Sequence, residues 1–333
     1  DTSLGIEWAT WFVGGRLNVA HDCVDKWAAR GDWRDRPAVV CEAEDGSSVT
    51  LSYAELRELT DRIAHGLAAR GVGEGDTVGI FLPMIPETVA AVMAVAKLGA
   101  IFLPIFSGYG AEAVAIRLQD GGAKALVTAD GTTRRGKVVP MKETADAAVA
   151  MAPSVETVVV VQRLGRSDTP MLPGRDLTVA ELGALGPDEP FPTLAVDSEH
   201  PLFVAYTSGT TGRPKGAVHV HAGFLAKIAE EAGFQTDCQP GDVLFWLTDL
   251  GWIMGPWQIF GTLAWGATMF CFDGAPDFPG PDRLWEMVQR HHISILGVSP
   301  TLIRSLLAHG DEFPARHDLS SLRILASTGE PWN

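Results

Sequence analysis

Apolar residues along this chain recur first at alternate or adjacent positions and then every three to four residues, and the switch repeats. Residues 38–41 and 48–51 read as short apolar strands around Glu44-Asp45-Gly46, a hairpin signal. Ser52 followed by Glu55 forms a capping box, and Leu56, Leu59, Ile63 and Leu67 then share one helical face until Gly71 ends the run. A strand at 78–82, a helix opened by Pro86 with Val89, Val92, Met93 and Ala96 inward, and a buried strand at 101–103 give the order β, α, β. The alternation continues with a helix at 114–118 and strands at 125–127 and 158–161, whose consecutive valines predict strands covered on both faces. The expected class is layered α/β.

From 163 to 201 the pattern breaks, because Pro170, Pro173, Gly174, Pro187, Pro190 and Pro192 oppose regular structure. A junction is placed there, dividing the chain into a first α/β subdomain (1–195, with an N-terminal extension) and a second (196–333). In the second, strands at 202–205, 243–247, 268–272, 293–298 and 322–325 alternate with helical stretches near Phe224, Trp257, Trp285 and Leu302.

Composition narrows the function. With 26 Lys and Arg against 41 Asp and Glu, the net charge of −15 opposes broad attraction to nucleic acid or anionic lipid. An anionic ligand must therefore be held by a local site. The four cysteines are scattered without a CxxC pair, which argues against a zinc module or disulfide framework and for a reducing cytoplasm. The longest apolar stretch, 88–106, is interrupted by Lys97, Gly99 and Pro104, so no membrane span is expected. The chain opens on Asp1 and stops at Gly329-Glu330-Pro331-Trp332-Asn333, and both ends read as cut.

The most informative segment is Tyr206-Thr207-Ser208-Gly209-Thr210-Thr211-Gly212-Arg213-Pro214-Lys215-Gly216, directly after an apolar strand. Its glycines let backbone N–H groups approach an anion, its hydroxyls donate further bonds, and Lys215 adds a mobile cation, which together describe a polyphosphate cradle. It is not the loop of P-loop NTPases, since Lys215 lies between Pro214 and Gly216 rather than between Gly and Ser or Thr. The competing reading is a solvated surface loop.

This segment resembles the signature loop of the AMP-forming acyl-CoA synthetase, or adenylate-forming, superfamily. The resemblance implies the layered α/β/α/β/α N-terminal domain of that superfamily, with two pseudo-related, mostly parallel sheets, and a small C-terminal domain that is absent here. It implies that Thr207, Ser208, Gly209, Thr210, Thr211, Gly212 and Lys215 hold ATP, with Thr207 and Lys215 catalytic, while a substrate carboxylate attacks the α phosphate and pyrophosphate leaves. The protein then needs no nucleophile of its own, and its task is positioning and charge neutralisation, with magnesium accompanying the phosphates.

Similarity to the acetyl-CoA and short-chain acyl-CoA synthetase branch runs along most of the chain, beginning at Trp11-Phe12-Val13-Gly14-Gly15-Arg16-Leu17-Asn18-Val19-Ala20. It implies coenzyme A contacts at Phe106, Ser107, Gly108, Arg134, Lys137, Met254 and Asp277, where exposed cations suit a ribose phosphate. It also implies an acyl pocket of Trp252, Ile253, Met254 and Thr328, although Trp246, Trp252, Trp257 and Trp265 suit a core equally well. The turn Gly329-Glu330-Pro331 resembles the one that packs against adenine. His221 falls near a position where relatives often carry a histidine, whereas His219 reads as a turn residue. No zinc signature such as HExxH is present and no protein-held metal site is expected, nor is there a GxSxG nucleophile elbow.

Relatives continue with an adenine and magnesium motif, a ribose-binding Asp, a hinge and a small domain carrying a catalytic Lys. The chain by itself is therefore expected to turn over acyl-CoA poorly, and the residue that sets acyl length lies past Asn333. The expected partners are a small carboxylate, ATP and coenzyme A, with no nucleic acid and no membrane. Two other readings stay open: an adenylating enzyme that loads a carrier protein, and a noncatalytic nucleotide-binding module.

Overall fold

The computed structural model describes residues 1–207, 214–310 and 312–331. Two sheets organise them. In the seven-stranded sheet the order is Asp176–Thr178, Thr157–Val161, Ala125–Ala129, Thr77–Phe81, Ile101–Pro104, Pro201–Thr207 and Lys215–Val220. All neighbours are parallel except the last pair. In the six-stranded sheet the order is Ile324–Ser327, Ile295–Val298, Val243–Trp246, Thr268–Asp273, Pro37–Ala43 and Ser48–Ser52, again parallel until a terminal antiparallel pair. The expected pair of mostly parallel sheets is thus present.

Between the sheets run helices that are apolar all round, as a doubly covered layer requires. Eleven of the twelve residues of Pro86–Lys97 are buried, as are nine of the eleven of Met254–Ala264. One face of the latter meets the seven-stranded sheet, where Phe102 stacks on Phe203 at 4.9 Å and reaches Phe260 at 6.2 Å. The opposite side meets the six-stranded sheet, where Gln258 donates to the Phe270 carbonyl at 2.6 Å. The buried Lys97 at the end of the other middle helix is paired with Asp25 at 2.6 Å and Asp61 at 2.5 Å.

The division at 195/196 does not follow the sheets. The seven-stranded sheet takes two strands from the second half of the chain, and the six-stranded sheet takes two from the first. Nor is 163–201 irregular throughout. It contributes the edge strand Asp176–Thr178 and the short helix Val179–Gly183, started by a capping box of Thr178 and Glu181 that the surrounding prolines obscure. The strand expected at 322–325 runs instead over Ile324–Ser327, because the Leu322 N–H is used in a turn to Leu319.

Among the described residues no helix is long and apolar enough to cross a membrane. All four cysteines are free and buried.

Candidate active site

In open parallel sheets, ligands gather beyond the carboxyl ends of the strands, where loops diverge and helices begin. Here the carboxyl ends of strands from both sheets open on one cleft of about 850 Å³. Phe106, Ser107 and Gly108 enter it after Ile101–Pro104. Thr248, Asp249, Trp252, Ile253 and Met254 enter after Val243–Trp246, Asp277 after Thr268–Asp273, and Thr328 with Gly329 after Ile324–Ser327. Most residues expected to meet the acyl group and coenzyme A, separated by more than 200 positions in sequence, are thereby brought together.

The wall at Phe106 is aromatic. Its ring lies 5.3 Å from Tyr109 in edge contact and 5.8 Å from Trp252. Trp252 is 59% exposed and lines the cleft; Trp246 also lines it although buried, whereas Trp257 is core. Beneath this wall the half-buried Asp249 accepts hydrogen bonds from the Ser107 hydroxyl at 2.5 Å, the Ser107 N–H at 3.3 Å and the Gly251 N–H at 2.9 Å. Removal from water pushes its carboxyl up to about 6, against those bonds and the charge of Arg134.

The opposite rim is a hairpin of Thr132–Arg134 and Lys137–Val139. Both central turn residues have positive φ, 51° at Arg135 and 71° at Gly136, the geometry that matches strand twist in a two-residue hairpin. Glu44 anchors this turn, accepting from the N–H groups of Arg135 at 2.7 Å, Gly136 at 2.8 Å and Ala275 at 2.9 Å. Arg135 in turn places both Asp277 oxygens at 2.8 Å. At the base of the hairpin, Asp273 accepts from Thr132 at 2.6 Å and pairs with Arg163 at 3.0 Å.

Arg134 lines the cleft and forms no ion pair among the described residues, which leaves its charge available to an anion. Lys137 faces it across the hairpin but lies outside the cleft lining. Asp277 lines the cleft as Arg135's partner, a role that sequence reasoning did not give it. Asp249, Arg135 and Asp273 lie inside segments that resemblance singled out and Glu44 in a hairpin signal, but sequence reasoning assigned none of them a role, because the partners that do so are remote in sequence.

Of the residues expected to hold the nucleotide, Thr207 stands opposite Lys215 in the antiparallel edge pair, and both are exposed. Ser208, Gly209, Thr210, Thr211 and Gly212 lie outside the described residues. Thr207 and Lys215 are not among the residues lining the cleft. Glu330 turns its carboxylate to the start of the helix Pro300–Leu307, accepting from the Thr301 N–H at 2.8 Å and from Arg304 at 2.6 Å. A carboxylate is favoured there by the helix dipole. Gly329 lines the cleft, and Pro331, next to Glu330, is exposed outside its lining. His219 is in a strand rather than a turn and stacks on Phe203 at 4.4 Å. His221 is fully buried at the start of the following helix.

Two mostly parallel sheets thus share a helical layer and open one cleft at their strand ends. The model for the AMP-binding enzyme family matches residues 25–333, and the chain belongs to that family. It is 43% identical over 327 residues to acetyl-coenzyme A synthetase of Streptomyces avermitilis, covering 98% of this chain and 50% of that protein. The acetyl-coenzyme A synthetase of Chlorobaculum tepidum is 41% identical over 334 residues, with the same coverage of each. Among solved structures, acetoacetyl-CoA synthetase from Streptomyces lividans superposes with a TM-score of 0.89 at 32% identity, covering 97% of this chain and 49% of that one. The chain spans about half the length of the curated relatives it matches.

Proposed function

We infer that this chain is the acid- and nucleotide-binding part of an AMP-forming acid–thiol ligase acting on a short-chain carboxylic acid. The carboxylate oxygen attacks the α phosphorus of ATP and pyrophosphate leaves. The thiol of coenzyme A, losing its proton, then attacks the acyl carbon and AMP leaves. One observation carries the reading: the cleft gathers the Phe106–Gly108 wall, the Trp252–Met254 turn, Thr328 and Arg134, which has no ion pair among the described residues, from beyond the ends of strands in both sheets.

In this reading Ile253, Met254 and Thr328 border the acyl group, and Arg134 neutralises a phosphate of coenzyme A. Phe106, Ser107 and Gly108 flank the thiol arm. Gly329, with Glu330 and Pro331, supports the adenine. Thr207, the segment 208–212 and Lys215 take the phosphate tail, with Lys215 offsetting charge on the departing pyrophosphate. Magnesium, when bound, would be carried by the phosphates and water rather than by a protein cage, and would neutralise the same charge. Free, buried cysteines support a reducing compartment such as the cytoplasm.

The full-length protein tests this. Carboxylate-dependent exchange of labelled pyrophosphate into ATP should fall by at least about a hundredfold for Lys215→Ala, the scale seen when a transition-state charge contact is removed. Persistent exchange would reject the assignment. Thioester formation with free coenzyme A separates this reading from the loading of a carrier protein.

A further inference from the structure

At one point under the cleft the strand ends of the two sheets touch. Ser107 follows the strand Ile101–Pro104 of the seven-stranded sheet, and Asp249 follows Val243–Trp246 of the six-stranded sheet. The Asp249 carboxylate accepts from the Ser107 hydroxyl at 2.5 Å and its N–H at 3.3 Å, and from the Gly251 N–H at 2.9 Å. A second, independent observation marks the same spot. A Cβ placed on Gly251 would stand 2.3 Å from the Phe106 nitrogen and 2.4 Å from its Cα, so here the two backbones press together without a side chain between them.

The wall that hangs from this contact has little freedom. The Phe106 ring folds back over Gly108, where an added Cβ would meet it at 2.6 Å, and it lies 5.8 Å from the Trp252 ring, tilted by 59°. A movement of Ser107 therefore carries the Phe106–Gly108 wall with it.

The geometry points to Asp249 as a positioning residue for the acyl acceptor. By clamping Ser107 to the turn at Gly251 it fixes the Phe106–Gly108 wall, and so the width of the cleft through which the thiol arm of coenzyme A reaches the acyl group. This rests on the reading of the cleft as the acceptor site. Arg134, on the hairpin opposite, is the charged group that faces the carboxylate, while 106–108 and 250–254 carry no titratable side chain. Protonation turns one acceptor oxygen into a hydroxyl and weakens the clamp, so acid opens it.

In the full-length enzyme, Asp249→Asn should raise KM for coenzyme A at least about tenfold, the order expected when a wall is displaced by a fraction of an ångström. Pyrophosphate exchange should stay within about twofold, and an acid limb in kcat/KM for coenzyme A should disappear in the variant. Ser107→Ala, which removes one donor, should move KM the same way by a smaller factor. An unchanged KM with the limb retained overturns the proposal, and so does equal loss in both half-reactions. A separate readout is the emission of Trp252, taken as the difference between the chain and its Trp252→Phe variant. It should titrate in mildly acidic buffer and cease to do so in Asp249→Asn. No titration in the parent overturns the clamp, whereas titration without any coenzyme A turnover keeps the clamp and sinks the acceptor-site reading.

Discussion

At the scale of single residues, His221 shows how burial is converted into pH dependence. Its ring is fully buried, Nδ1 faces the Val19 N–H at 3.4 Å, and Nε2 has no partner among the described residues. Desolvation, then the nearby His200 ring, push its pKa down to about 3. The folded state therefore holds the ring neutral while the unfolded chain protonates it below about 6.5. The associated stability is complete above that pH and drains away as pH falls toward 3, up to roughly 5 kcal/mol in all. His221→Phe should flatten the urea-unfolding free energy between pH 6.5 and 4, while costing about 1–2 kcal/mol at pH 7 through the orphaned Val19 N–H. A pH slope unchanged in the variant would place the titration elsewhere. Asp249 has the opposite sign: its raised carboxyl binds a proton more readily folded than unfolded, so its contribution to stability falls as pH rises from about 4 to about 6.

Elements are governed by local signals, and the helix Tyr53–Ala69 illustrates the point. The Ser52 hydroxyl accepts from the Glu55 N–H at 3.2 Å, and the Glu55 carboxylate returns to the Ser52 N–H at 2.8 Å. Ser52→Ala should cost about 1 kcal/mol in chemical denaturation, with the m-value unchanged. This device was legible in sequence because both partners are three residues apart, and the same locality made most strands and helices legible. The cleft's anchors were not. Glu44 earns its role from N–H groups 91 to 231 residues away, and Asp249 from Ser107, 142 residues away. Sequence periodicity shows which face a side chain takes, not which distant turn will meet it. The residues expected to meet the acyl group and coenzyme A came from resemblance of motifs, and the structure brings all of them but Lys137 to one cleft at the carboxyl ends of strands.

For the molecule as a whole, the order of strands matters more than the order of the sequence. The strand Thr268–Asp273 is paired with Pro37–Ala43 over five consecutive positions, from Met269 with Val39 to Asp273 with Ala43. The seven-stranded sheet is closed by Pro201–Thr207 and Lys215–Val220, which cover the edge of Ile101–Pro104. A cut at 195/196 would therefore leave the 37–52 hairpin without its sheet and strip the other sheet of two strands. It would also expose the apolar faces of Pro86–Lys97 and Met254–Ala264, which are covered from both sides in the intact chain. Produced separately, residues 1–195 and 196–333 should each lack a cooperative unfolding transition and fixed near-ultraviolet dichroism, and should regain both when mixed. Hydrogen exchange offers the finer check, since amides of the 37–43 and 268–273 strands should gain protection together on mixing. A fragment that unfolds cooperatively by itself would show that the composition break near 195 marks an autonomous unit after all, with the interleaved strands as late additions to an already stable core.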